Sequence, residues 1–142
     1  MDIVKNFCQI LFLLLFSVQL LNSQEPDSVK YEFASPEDFL TMIRFKENAV
    51  LIDVRMPFEY RRERIENAIN IPVTKDYIKK TGNFDKESVL LLYCTTDVRS
   101  SRAAEKLYEL GFRKIFCLQG GIMAWKRTGL LTKGRKVKED VM

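Results

Sequence analysis

The sequence predicts an α/β fold built on a mostly parallel sheet, and three observations carry that prediction. Three short runs, Val50–Val54, Ser88–Tyr93 and Lys114–Leu118, are apolar almost throughout, which is how strands covered on both faces read. Segments with helical periodicity separate them. Caps, prolines and glycines punctuate the boundaries between the two kinds of segment.

Residues 24–32 read as a polar leader, and Tyr31–Phe33 as a short first strand at the start of the domain. Ser35 is an N-cap, Pro36 suits the first helical position and Asp38 completes a capping-box pattern, so a helix should run to about Lys46 with Phe39, Met42 and Ile43 inward. The strand Val50–Val54 follows, then a short helix from Pro57 to about Arg62, a strand Ala68–Ile71 stopped by Pro72, and a helix Val73–Lys80. After the turn at Gly82-Asn83 comes the strand Ser88–Tyr93. An amphipathic helix spans Ser100–Leu110, with Ala103, Ala104, Leu107 and Leu110 inward and Gly111 as its stop. The strand Lys114–Leu118 and a helix Gly121–Thr128 close the pattern.

Length bounds the rest: 142 residues fit one domain. The net charge of +4 favours anions in general, but no basic patch interleaved with aromatics marks a nucleic-acid reader. The chain has no histidine, which excludes Cys–His and Ser–His dyads and histidine-ligated zinc. Cys8, Cys94 and Cys117 lack metal-ligand spacing.

The two ends stand apart. Residues 1–23 carry charge only at Asp2 and Lys5, and the apolar run from Ile10 to Leu21 resembles a secretory signal, with Asn22-Ser23-Gln24 as the cleavage zone. The alternative is an uncleaved anchor, against which the run is short and interrupted by Gln19. The expectation is an exported protein, periplasmic if the source is a Gram-negative bacterium, that meets the membrane only if this segment is uncleaved. Cys94 and Cys117 would then work in an oxidising space. Residues 129–142 read as a basic, solvated tail. N-terminal sequencing of the native protein should find a start near Gln24, and an intact Met1 in a cytosolic fraction would contradict export.

Leu90-Leu91-Leu92-Tyr93 runs a strand straight into Cys94, and the loop Thr95-Thr96-Asp97-Val98-Arg99 precedes a helix. In an open parallel sheet ligands bind beyond the carboxyl ends of the strands. Loop amides and a helix N-terminus would favour a thiolate there. Position alone leaves open that Cys94 is a small buried core residue.

The surrounding motifs decide. Leu51-Ile52-Asp53-Val54-Arg55 with Pro57 and Glu59-Tyr60, Ala68-Ile69-Asn70-Ile71-Pro72, the Cys94 loop ending Arg99-Ser100-Ser101-Arg102-Ala103, and Leu118-Gln119-Gly120-Gly121-Ile122 with Ala124-Trp125 together resemble the rhodanese family over residues 33–128. The resemblance implies a parallel five-stranded sheet with helices on both faces. It implies sulfur transfer from a donor such as thiosulfate to a thiophilic acceptor, cyanide, a thiol or a protein, through a persulfide on Cys94. Thr95, Thr96, Asp97, Val98 and Arg99 would line the site, with Asp53 and Arg55 supporting it and no metal or organic cofactor.

Arg99 follows Cys94 by five residues. The related phosphatases place that arginine one residue later, so the loop looks sized for a sulfur adduct and not a phosphoryl group or arsenate. Asp97 stands where the family commonly has glycine. It is expected to take a left-handed backbone in glycine's stead and to set a carboxylate against both the thiolate and a dianionic donor. Its removal should then speed the use of thiosulfate. Arg99 is expected to contact the anionic donor, the alternative being that it satisfies carbonyls of the loop, while Glu59 is expected to be structural and Cys117 to fill the core. A non-catalytic rhodanese-like module that binds a partner or carries persulfide is the alternative reading, and a phosphatase-like or arsenate-reducing enzyme a remoter one.

Overall fold

The structure, a computed structural model, describes residues 29–134. The segment 1–23 expected to act as an export signal, Cys8, the leader up to residue 28 and the tail beyond residue 134 lie outside the described residues. In chain order the elements are β1 (Glu32–Ala34), α1 (Pro36–Phe45), β2 (Ala49–Asp53), α2 (Pro57–Arg62), β3 (Glu63–Arg64), β4 (Ile69–Asn70), α3 (Tyr77–Thr81), β5 (Val89–Tyr93), α4 (Val98–Glu109), β6 (Ile115–Leu118), α5 (Gly121–Arg127) and β7 (Lys133–Gly134).

The five-stranded sheet has the order β1-β6-β5-β2-β4, and every pairing in it is parallel. Parallel neighbours need crossovers, and the helices that supply them cover both faces. Alternation along β5 divides the core. Leu90 and Leu92 face the side of α3 and α4 with Ala103, Ala104, Leu107 and Phe112, and Cys94 continues their row. Leu91 and Tyr93 face the side of α1, α2 and α5 with Phe39, Ile122 and Trp125. Ser35 caps α1 as expected, accepting the Asp38 amide at 3.1 Å.

Two boundaries differ from expectation. The helix expected over Val73–Lys80 is only Tyr77–Thr81, because residues 73–76 form turns in which the Thr74 amide bonds the Pro72 carbonyl and the Tyr77 amide the Thr74 carbonyl. Helix α4 begins at Val98, two residues before the expected Ser100, since the Asp97 carbonyl already accepts the Ser101 amide at 2.9 Å. Arg99 and Ser100 therefore sit in the first helical turn and are held by it.

The small antiparallel pair β3–β7 has no counterpart in the sequence reading, as two-residue strands carry no periodicity. It draws residues 130–134 back onto the domain. Trp125 Nε1 donates to the Leu131 carbonyl at 3.1 Å, Thr132 Oγ1 and Lys126 Nζ both bind the Glu63 carboxylate at 2.9 Å, and Lys133 pairs with Glu66.

At the carboxyl end of β2, Asp53 is fully buried and Arg55 nearly so. Asp53 Oδ2 accepts Arg55 Nη2 at 2.7 Å, and Oδ1 accepts both the Arg55 amide and Nε. Arg55 Nη2 also reaches the Glu63 carbonyl at 2.6 Å, and its guanidinium lies over the Tyr93 ring. The pair ties β2, the start of β3 and the last residue of β5 into one joint. Breaking one member leaves a buried charge without its partner. Asp53→Ala should cost about 3–5 kcal/mol of stability, read as the shift in a urea unfolding curve. A change under about 1 kcal/mol would show that water reaches Arg55 and that the pair is not a structural joint.

Candidate functional site

Cys94 stands one residue beyond β5, the central strand, at the carboxyl edge of the sheet. The residue is 1% exposed. Its Sγ has the Ser100 hydroxyl 3.6 Å away, and Ser100 Oγ donates to the Asp97 carbonyl at 2.9 Å. Ser100 is itself fully buried. No role fell to it in the sequence reading, although a serine one residue into the helix after Arg99 points back at the loop once α4 is known to start at Val98.

Two neighbouring elements hold the loop. On one side the first turn of α5 docks backbone to backbone. The Ile122 amide donates to the Cys94 carbonyl at 2.9 Å and the Met123 amide to the Thr95 carbonyl at 3.3 Å. Gly121 makes this possible. Its φ is +58°, and a Cβ there would collide with the carbonyl oxygen of Cys94, 2.6 Å away, and with that of Thr96. On the other side Glu59 of α2 accepts Arg99 Nη1 at 2.6 Å, Arg99 Nη2 at 2.9 Å and Thr95 Oγ1 at 3.0 Å. The same carboxylate accepts the Met56 amide at the start of α2. Thr95 Oγ1 also accepts Arg99 Nη2 at 2.7 Å.

These contacts correct two expectations. Asp97 is not left-handed: its φ is −129°, and its Oδ1 accepts the Gly120 amide at 2.7 Å. The carboxylate ties the loop to the β6–α5 turn, where the left-handed residues are Gly120 at φ +70° and Gly121 at φ +58°. Arg99 is not an open anion anchor either, because Glu59 takes its guanidinium in a fork-to-fork pair. Glu59 thus belongs to the loop's machinery, and its acidic side chain in the segment after Arg55 was the available signal. Thr96 and Val98 are exposed at the loop's rim, while Asp53 and Arg55 act one residue behind Cys94 through Tyr93. Cys117 is fully buried on the same sheet face as Cys94.

The Arg99 hydrogen bonds hold the Glu59 carboxyl down from its ordinary 4.5 to about 2, outweighing the opposing effect of burial. A depressed folded-state value stabilises the native protein fully above the unfolded value. That contribution drains away as pH falls from about 4.5 towards 2. Its size after solvent screening is about 1–2 kcal/mol. Stability measured from pH 6 to pH 3 should fall less steeply in Glu59→Gln than in the wild type, and parallel curves would mean that the pair is open in solution.

Comparison with known proteins agrees with this geometry. The rhodanese-like domain family matches residues 35–128. A thiosulfate sulfurtransferase, GlpE, of Coxiella burnetii is 36% identical over 83 residues, which is 57% of this chain and 75% of that protein. A sulfurtransferase of Allochromatium vinosum is 29% identical over 78% of this chain and 94% of its own length. The chain spans about half (51%) of a Synechocystis relative, an uncharacterized protein, to which it is 32% identical. Among solved structures, a Bacillus halodurans protein superposes with a TM-score of 0.65 at 31% identity, covering 74% of this chain and 77% of that one. A polysulfide-sulfur transferase of Wolinella succinogenes shares the fold at a TM-score of 0.66 and 24% identity, over 92% of this chain and 96% of its own. The chain belongs to the rhodanese-like domain family.

Proposed function

We propose that the domain is a sulfurtransferase that carries sulfane sulfur as a persulfide on Cys94. The observation that carries this reading is the placement of a cysteine at the carboxyl end of the central strand, on a loop fixed from two sides, with a hydroxyl 3.6 Å from its sulfur. The sulfurtransferase relatives support it. The Cys94 thiolate would attack the sulfane sulfur of thiosulfate. An S–S bond forms to Cys94, the sulfur–sulfur bond of the donor breaks, and sulfite leaves with the electron pair. A thiolate or cyanide then attacks the outer sulfur, and the Cys94 thiolate is the leaving group. No general base is needed if the sulfur is already ionised, which suits a chain without histidine.

A second reading has its own observation. Cys94 is 1% exposed and Glu59 neutralises the loop arginine, so a free dianion meets a closed site. That favours a persulfide carrier loaded by a dedicated partner over an enzyme turning over small anions. Intact mass spectrometry after thiosulfate tests the first reading. One added sulfur atom is expected in the wild type and most of it in Cys117→Ser, but none in Cys94→Ser. Equal loss in both variants, with folding intact, would point to a two-cysteine relay. Sulfur loading without cyanide turnover would favour the carrier.

Asp97 offers a sharper test, since its carboxylate is a tether. Asp97→Gly deletes a charge-assisted hydrogen bond of about 1.5–3 kcal/mol, so kcat/KM for thiosulfate should fall about tenfold. Asp97→Asn keeps the acceptor for Gly120, removes the charge, and should stay within about threefold of wild type. A gain in Asp97→Gly would restore repulsion of the donor as the governing effect.

A further inference from the structure

Residues 130–134 fold back over the domain beyond residue 128, where the family match ends. They touch both elements that hold the Cys94 loop. Towards α5, the Leu131 carbonyl accepts Trp125 Nε1 at 3.1 Å, and Leu130 packs against the core that contains Ile122 and Trp125. Towards α2, β7 pairs with β3, with Glu63 opposite Gly134 and Arg64 opposite Lys133. Thr132 Oγ1 donates to Glu63 Oε1 at 2.9 Å, and Lys126 of α5 binds the other oxygen of that carboxylate at 2.9 Å. Gly134 lies so close to the end of α2 that a Cβ there would strike the Arg62 carbonyl oxygen.

The segment held in this way reaches the residues behind Cys94. The Glu63 carbonyl accepts Arg55 Nη2 at 2.6 Å, and the Ile65 amide, just past β3, donates to the Tyr93 hydroxyl at 3.1 Å. Tyr93 is the residue before Cys94. β3 has no place in the five-stranded sheet, and β7 is its one strand partner among the described residues.

We propose that residues 130–134 are a positioning clamp for the Cys94 loop. They join α5, whose first amides bond the loop carbonyls, to α2 and β3, which carry Glu59 and brace Arg55 and Tyr93. The two sides between which the loop is held are thereby fixed relative to each other. A two-residue strand pair and half-exposed ion pairs are weak, so the clamp can open without unfolding the sheet, of which β7 is no part. With the clamp open the loop keeps its own bonds to Glu59 and α5, but those anchors move independently and the bonds break more often. Displacement at a sulfur needs the reacting atoms held in line, so a looser loop transfers more slowly. The effect on transfer rests on the sulfurtransferase reading, whereas the effect on the loop does not.

The test uses the full chain with Gly134→Val, which destroys the close approach to Arg62, and Thr132→Val, a milder variant that removes one bond to Glu63. Trp125 is the chain's one tryptophan, and loss of its bond to Leu131 should move its emission to the red, reporting release of the clamp. Amide exchange followed by NMR then reads the loop. The Ile122, Met123 and Gly120 amides, bonded to the Cys94 carbonyl, the Thr95 carbonyl and Asp97, should exchange about three- to tenfold faster in Gly134→Val. The Leu90 amide, bonded to the Lys114 carbonyl, should keep its wild-type rate, which separates a loosened loop from general destabilisation.

kcat/KM for thiosulfate should fall by a similar factor. Thr132→Val should lie in between and stands in for Gly134→Val if that variant does not fold, and Thr132→Ser, which keeps the hydroxyl, should match the wild type. A wild type inactive with sulfane donors would refute the sulfurtransferase reading and leave amide exchange to decide on the clamp. Wild-type exchange at Ile122, Met123 and Gly120 beside a shifted Trp125 emission would overturn the proposal, as would equal acceleration at Leu90. An unshifted emission in both valine variants would overturn it too, because the contacts to α2 and β3 would then not hold the segment.

Discussion

The close approach of α5 to the Cys94 loop is the constraint on which the rest of the site depends. Two backbone amides at the start of that helix bond the carbonyls of Cys94 and Thr95. Such a contact requires the chain to come within a distance that no side-chain-bearing residue tolerates, and Gly121 alone supplies it. With the carbonyls turned toward α5, the Cys94 side chain is directed to the opposite sheet face, where α4 and Ser100 meet it. Asp97 reaches back to the Gly120 amide and closes the same joint from the loop's far end.

Glu59 adds a second constraint of another kind. One carboxylate starts α2, holds the Thr95 hydroxyl and engages Arg99. The Arg99 guanidinium therefore already has a carboxylate partner, in a pair only partly shielded from water.

Much of this was open to sequence reasoning, and the parts that were not share a cause. The strands 89–93 and 115–118 announced themselves because both faces are buried, and α1 because its cap is local. Cys94 could be placed because a strand end followed by a helix start is a local pattern. The orientation of Asp97 could not, since its partner Gly120 is 23 residues away and the choice between facing the sulfur and facing an amide is tertiary. The pairing of Arg99 with Glu59, 40 residues apart, was not legible for the same reason, nor was the β3–β7 pair. The shortened α3 is different: Pro72 starts a local turn that the helical pattern of the following residues obscured.

These long separations have a consequence for how the chain acquires its chemistry. The loop sequence by itself contains neither Glu59 nor Gly121, so a peptide carrying Thr95 to Arg99 has no reason to adopt the native arrangement. Contacts that close loops of 23 to 40 residues form only after the chain has lost the corresponding entropy, and they are among the last to be rewarded during folding. Until then the loop around Cys94 lacks the tethers that fix it, and the native surroundings of that sulfur exist only once the segments that carry Glu59, Asp97 and Gly120 have met around it.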